Sequence, residues 1–185
     1  MNVLMPLAEG FEESEAVVVI DVLRRAGIAV TIAATGESRS VIASRNVVLV
    51  AETLFQEVDL DAFDALVLPG GGPGTARLKA DTRVLDAVRA FHTKGKTIGA
   101  ICAAPTVLAA AGILDGRAVT CYPGCEKGLA GARYMSQGPV VADGTVITSQ
   151  GPGTSFEFAL ALVERLAGAA TAAQVAAGLC LHPQS

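Results

Sequence analysis

The sequence predicts an α/β fold: a mainly parallel sheet with helices on both faces. Two observations carry that prediction. Short apolar runs of β type alternate with amphipathic segments of roughly ten to fifteen residues, the rhythm of repeated β-α-β units. The chain of 185 residues and 18.8 kDa also fits one domain, spanning 1–185, large enough to bury most of its apolar surface without covalent staples.

The elements follow in order. NVLM at 2–5 is a first strand, the stretch 12–26 a helix, and IAVTIAA at 28–34 a second strand. RSVIASRNVVLV, 39–50, breaks the rhythm as a hairpin. DALVLP at 64–69 is a strand ending in a glycine run, with a helical stretch after it and another helix at 82–94. KTIGAI at 96–101 leads into a helix at 104–112, and RAVTC at 117–121 is a further strand. PVVADGTVITS, 139–149, is a second hairpin turning at Asp143-Gly144. Thr154 and Glu157 then have the spacing of a capping box that opens a helix, and a last apolar helix covers about 171–180. The sequence shows no repeat, low-complexity segment or linker.

Bulk properties exclude several functions. The chain is 51% hydrophobic with mean hydropathy +0.49, yet no stretch approaches the ~20 uninterrupted apolar residues of a membrane span. MNVLMPLAEGFEE has no basic leader, so the expectation is a soluble cytoplasmic protein. Net charge is −4, the basic residues are scattered, and there are six Phe, two Tyr and no Trp, which argues against nucleic acid. The four cysteines read as reduced thiols. Cys121 and Cys125 are spaced for a metal pair, but the two histidines, His92 and His182, are distant in sequence, so no metal is expected.

Three strand ends carry unusual residues, and ligands of open α/β sheets sit beyond the carboxyl ends of strands. Cys102 closes a strand and AAPTVLAAAG begins a helix, with Ala100 and Ala104 as small neighbours. That pattern resembles a nucleophile elbow, with helix-terminal polarity favouring thiolate. Gly70 and Gly71 open a glycine turn whose amides can face an anion. On a wheel of ~100° per residue, Glu13, Ser14, Asp21, Arg24 and Arg25 share a polar sector, but Glu15 falls in the apolar sector with Ala16, Val18, Val19 and Leu23. A carboxyl on a core-facing stripe costs several kcal/mol if ionised and unpaired, which marks Glu15 as functional.

PLAEGFEESEAV, LVLPGGGPG, AICAAP and TSQGPGTSFEFAL, in that order and at these separations, resemble the ThiJ/PfpI superfamily, in its DJ-one-like branch. The resemblance covers essentially the whole chain. It implies a flavodoxin-like three-layer sandwich, a homodimer, and no metal or organic cofactor. It assigns the reactive cysteine to Cys102, its partner glutamate to Glu15 and the oxyanion-type amides to Gly71 and Ala103, with Arg25 and Arg45 near the mouth of the site in the dimer. Tyr122 stands where many members carry histidine, and neither His92 nor His182 is an obvious substitute, which argues against a Cys-His-acid triad.

The resemblance implies cofactor-independent glyoxalase III or deglycase activity on methylglyoxal or glycated adducts, with a role in carbonyl and oxidative stress. Thiol and carboxyl would share one proton, as thiolate plus protonated Glu15. The alternative is a redox sensor or chaperone, acting through oxidation of Cys102 to sulfinate without physiological turnover.

Overall fold

In the computed structural model, which describes residues 1–181, a seven-stranded sheet is built from β1 (Asn2–Leu7), β2 (Ala29–Ala34), β5 (Thr53–Leu54), β6 (Ala65–Leu68), β7 (Thr97–Ile101), β10 (Val140–Asp143) and β11 (Val146–Ser149). The strand order is β10-β11-β7-β6-β1-β2-β5. Every pairing is parallel except β10 with β11. β1, β6 and β7 are covered on both faces, which explains their unbroken apolar runs.

Helices α1 (Glu13–Arg25), α5 (Ser155–Ala167) and α6 (Ala169–Gly178) pack on one face, around Phe11, Met5, Phe158 and Leu162. Helices α2 (Gly72–Ala80), α3 (Thr82–Thr93) and α4 (Pro105–Ala110) cover the other, around Leu66, Leu68, Val88 and Phe91. Three layers result. Full burial of a side chain such as Phe158 is worth roughly 1.5–3 kcal/mol, so the helix stripes fix which face each helix turns inward.

Both hairpins form, with different fates. The second turns at Gly144-Thr145, one residue later than expected, with Asp143 closing β10 opposite Val146, and enters the main sheet through β11. The first, β3 (Ser40–Ile42) with β4 (Val48–Val50), stays a separate ribbon. Its turn is tied to the start of α1: Ser44 N–H donates to the Phe11 carbonyl at 2.8 Å, and the Ser44 hydroxyl lies 2.9 and 3.0 Å from carboxylate oxygens of Glu12 and Glu13.

Two expectations fail. The run 117–121 does not join the main sheet: β8 (Ala118–Val119) pairs with β9 (Arg133–Tyr134) in a small parallel ladder, because β11 already occupies the edge of β7. The capping box also fails to form. Thr154 is the N-cap of α5, but its hydroxyl turns back to Ser149 Oγ at 2.7 Å and to Gly151, leaving the helix amides without a side-chain cap.

Candidate active site

The strand order reverses between β1 and β6, the position at which open α/β sheets form a crevice beyond their carboxyl ends. Three loops meet there: 8–12 after β1, 69–71 after β6 and 102–104 after β7. They interlock through the backbone, with Glu12 N–H donating to the Gly70 carbonyl at 3.0 Å and Gly74 N–H to the Gly10 carbonyl at 3.1 Å.

Cys102 has φ of 64°, a left-handed conformation that few non-glycine residues adopt. The strain is held from both sides. Its N–H donates to the Ser149 carbonyl on β11 at 3.0 Å, and its carbonyl accepts from Tyr122 N–H at 2.8 Å. Cys102, 9% exposed as a residue, turns its thiol toward Glu15 and the amides of Gly71 and Ala103.

Glu15 lies on the first turn of α1 with no solvent exposure, as the helical wheel implied. Its Oε2 accepts from Gly70 N–H at 2.7 Å, while Oε1 has no hydrogen-bond partner among the described residues. Gly70 is the spacer between the two acids. A Cβ there would stand 2.5 Å from Cys102 Cβ, 2.8 Å from Glu15 Oε2 and 3.0 Å from Cys102 Sγ. Gly71, with φ of 89°, cannot carry a side chain either, since its Cβ would meet the Gly10 carbonyl oxygen at 2.4 Å.

Burial pushes the Glu15 carboxyl up to about 7, against the pull of the Gly70 amide and of Cys102. Burial also pushes the Cys102 thiol up, to about 12; the Glu15 charge adds to this, and the Gly71 and Ala103 amides oppose it. Burial raises both acids, and as a close pair they share one proton. Glu15 is placed to take the thiol proton.

Gly70, Gly71, Ala103, Glu15 and Cys102 thus converge. Tyr122 borders them through its backbone bond to Cys102, its half-exposed ring packed over Gly151, whose Cβ position is 3.1 Å from the ring. Arg45 stands apart on the hairpin turn, with its N–H donating to Glu13 Oε1 at 2.9 Å. Arg25, paired with Asp21, is at the far end of α1, so within one chain the two arginines do not meet. His92 belongs to α3 on the opposite face of the sheet, and His182 is outside the described residues. No group of three or more His, Cys, Asp or Glu among the described residues is placed to hold a metal ion. Sequence reasoning missed Ser149, whose carbonyl fixes the elbow; nothing in its spacing from Cys102 announces the β7–β11 pairing.

The model of the DJ-1/PfpI family matches residues 1–165. The chain belongs to the DJ-1/PfpI family. It is 45% identical over 181 residues to the Parkinson disease protein 7 homolog of Danio rerio, covering 96% of each chain. It is 37% identical over 181 residues to the glutathione-independent glyoxalase DJR-1.2 of Caenorhabditis elegans, covering 97% of this chain and 95% of that one. The crystal structure of Drosophila melanogaster DJ-1beta superposes with a TM-score of 0.95 at 43% identity, over 98% of both chains. The DJ-1 flavodoxin-like fold expected from the sequence is therefore the fold found. No helix among the described residues is long and apolar enough to cross a membrane.

Proposed function

We propose that the chain is a cofactor-independent, cysteine-dependent glyoxalase that converts methylglyoxal to lactate, with glycated adducts as related substrates. The observation that carries this reading is the convergence of Glu15, Cys102 and the Gly71 and Ala103 amides that face the thiol. The relative named a glutathione-independent glyoxalase supports the substrate class.

Cys102 Sγ attacks the aldehyde carbon, and the thiol proton passes through Glu15 to the new hydroxyl. The Gly71 and Ala103 amides stabilise the oxyanion on the way. Glu15 then removes the proton from the former aldehyde carbon, giving an enediol, and a proton is returned to the neighbouring carbon. That carbon is reduced as the first becomes a thioester, so no external redox partner enters. Water cleaves the thioester, releasing lactate and the thiol. The decisive measurement is lactate formed from methylglyoxal without added metal or glutathione, compared with Cys102→Ser; equal rates would refute the reading.

A second reading, oxidation of Cys102 as a redox signal, draws on one observation. Cys121 packs in the apolar cluster on the opposite face of the sheet from Cys102, so it is not placed to resolve a sulfenate there, and oxidation would run on to sulfinate. Both readings are of a homodimer, for which Val17, Ile42, Val47, Val48 and Val50 offer exposed apolar surface on α1 and the hairpin.

A further inference from the structure

Cys121 and Cys125 take no part in the chemistry above, yet they are arranged around one atom. Tyr122-Pro123-Gly124-Cys125 is a tight turn in which Cys125 N–H donates to the Tyr122 carbonyl at 2.9 Å. Pro123 followed by Gly124 with φ of 98° fits a type II turn. The Cys121 thiol donates to the same Tyr122 oxygen at 3.4 Å. The Cys121 sulfur and the Cys125 backbone are therefore no farther apart than those two bonds laid end to end. Cys121 is fully buried in the cluster of Leu108, Val119 and Leu129, and Cys125 is partly buried against the same cluster.

The residue between them is the one that grips the elbow. Tyr122 N–H holds the Cys102 carbonyl at 2.8 Å, and its ring packs over Gly151. We propose that Cys121 and Cys125 form a reversible disulfide, a second redox site on the face of the sheet opposite Cys102, whose closure alters the grip of Tyr122 on Cys102. Closing the bond removes the Cys121 donor from the Tyr122 carbonyl and redraws the turn that carries the Tyr122 amide.

A small-molecule disulfide such as oxidised glutathione completes the balance. Cys125, the more exposed thiol, attacks one glutathione sulfur as its thiolate, breaking the S–S bond and releasing one glutathione. Cys121 then attacks the Cys125 sulfur of the mixed disulfide and expels the second. Two cysteines are oxidised, one glutathione disulfide is reduced, and the two thiol protons end on the two glutathiones. Burial raises both thiols, so the exchange is slow near neutrality and quickens with pH.

The test equilibrates the full chain in glutathione buffers of rising oxidised fraction, quenches with iodoacetamide and digests with trypsin. Cleavage after Arg117 and Lys127 leaves both cysteines on one peptide, 118–127. The expected product is that peptide unalkylated and lighter by two hydrogens, restored by dithiothreitol and absent from Cys125→Ser, a substitution at a partly exposed turn position. The alkylation rate of Cys102 should shift several-fold with oxidation in the parent protein and stay constant in Cys125→Ser. A peptide that remains doubly alkylated or becomes glutathionylated in the most oxidising buffer overturns the disulfide. A closed disulfide with an unchanged Cys102 rate overturns the coupling to the elbow.

Discussion

The Gly70 amide donates to Glu15 Oε2 at 2.7 Å, and the absent Gly70 side chain is the space in which Glu15 and Cys102 approach each other. Gly70 is not in the left-handed region, so alanine is admissible to the backbone and excluded only by its neighbours. Gly70→Ala should cost about 1–3 kcal/mol through overpacking. By separating acid from thiol it should also lower methylglyoxal turnover on the order of 10²-fold. Urea melts and lactate assays on one preparation check both; a variant with parental turnover would show that the two groups act independently.

Stability should fall as pH rises through the range set by Glu15. The carboxyl is raised from 4.5 to about 7, so the native state holds a proton that the unfolded chain has lost. The stabilising contribution is complete below 4.5 and gone above about 7, a change of up to about 3 kcal/mol at 1.36 kcal/mol per unit. Glu15→Gln removes the titration, so its stability relative to the parent should climb between those limits. Parallel denaturation profiles across that pH range would contradict the buried carboxyl.

Turnover should distinguish the side chains of Cys102, Glu15 and Tyr122. Cys102→Ser is expected to be inactive, and Glu15→Gln to lose on the order of 10²-fold or more, the scale of general acid-base catalysis. Tyr122→Phe should lose far less, because the bond from this residue to Cys102 is made by its backbone amide, which the substitution keeps. A Tyr122→Phe enzyme as inactive as Cys102→Ser beside an active Glu15→Gln would reassign the proton carrier to the phenol.

Limiting peroxide should oxidise Cys102 before Cys121, Cys125 or Cys180. Its sulfur faces two backbone amides and a carboxyl able to take the thiol proton. Peptide mapping after sub-stoichiometric treatment reads the order, and an earlier product at any other cysteine would contradict the elbow assignment.

Light scattering at micromolar concentration should give twice the chain mass. Val48 and Val50, 58% and 63% exposed, lie on a ribbon separate from the main sheet, and Val17 of α1 is exposed as well. Replacing Val48 and Val50 with Lys should shift the population to monomer, whereas a parental monomer would leave this apolar surface without its expected partner.

The sequence made some parts of this architecture legible because they depend on local pattern. Glu15 announced itself through helical phase alone, and the second hairpin through its Asp143-Gly144 pair, although the turn itself falls one residue later, at Gly144-Thr145. What escaped depends on pairing between distant segments. Whether 117–121 or 146–149 takes the edge of β7 is decided by competition for one row of hydrogen bonds, and both runs are equally apolar. Thr154 likewise has the sequence of a cap, but Ser149 and Gly151 reach its hydroxyl first. The burial of Cys102 escaped for the same reason: helix polarity can be read from neighbours in sequence, whereas desolvation is set by neighbours in space.

Holding Cys102 between Ser149 and Tyr122 also dates the birth of the site during synthesis. Its backbone conformation requires a carbonyl that lies 47 positions further along the chain. While the ribosome is still making the last third of the polypeptide, nothing fixes the left-handed turn, and the sulfur is an ordinary cysteine among unfolded neighbours. The elbow is therefore assembled only with β11, after the remaining strands of the sheet have been translated. A nascent chain thus acquires the elbow only after most of it has been made.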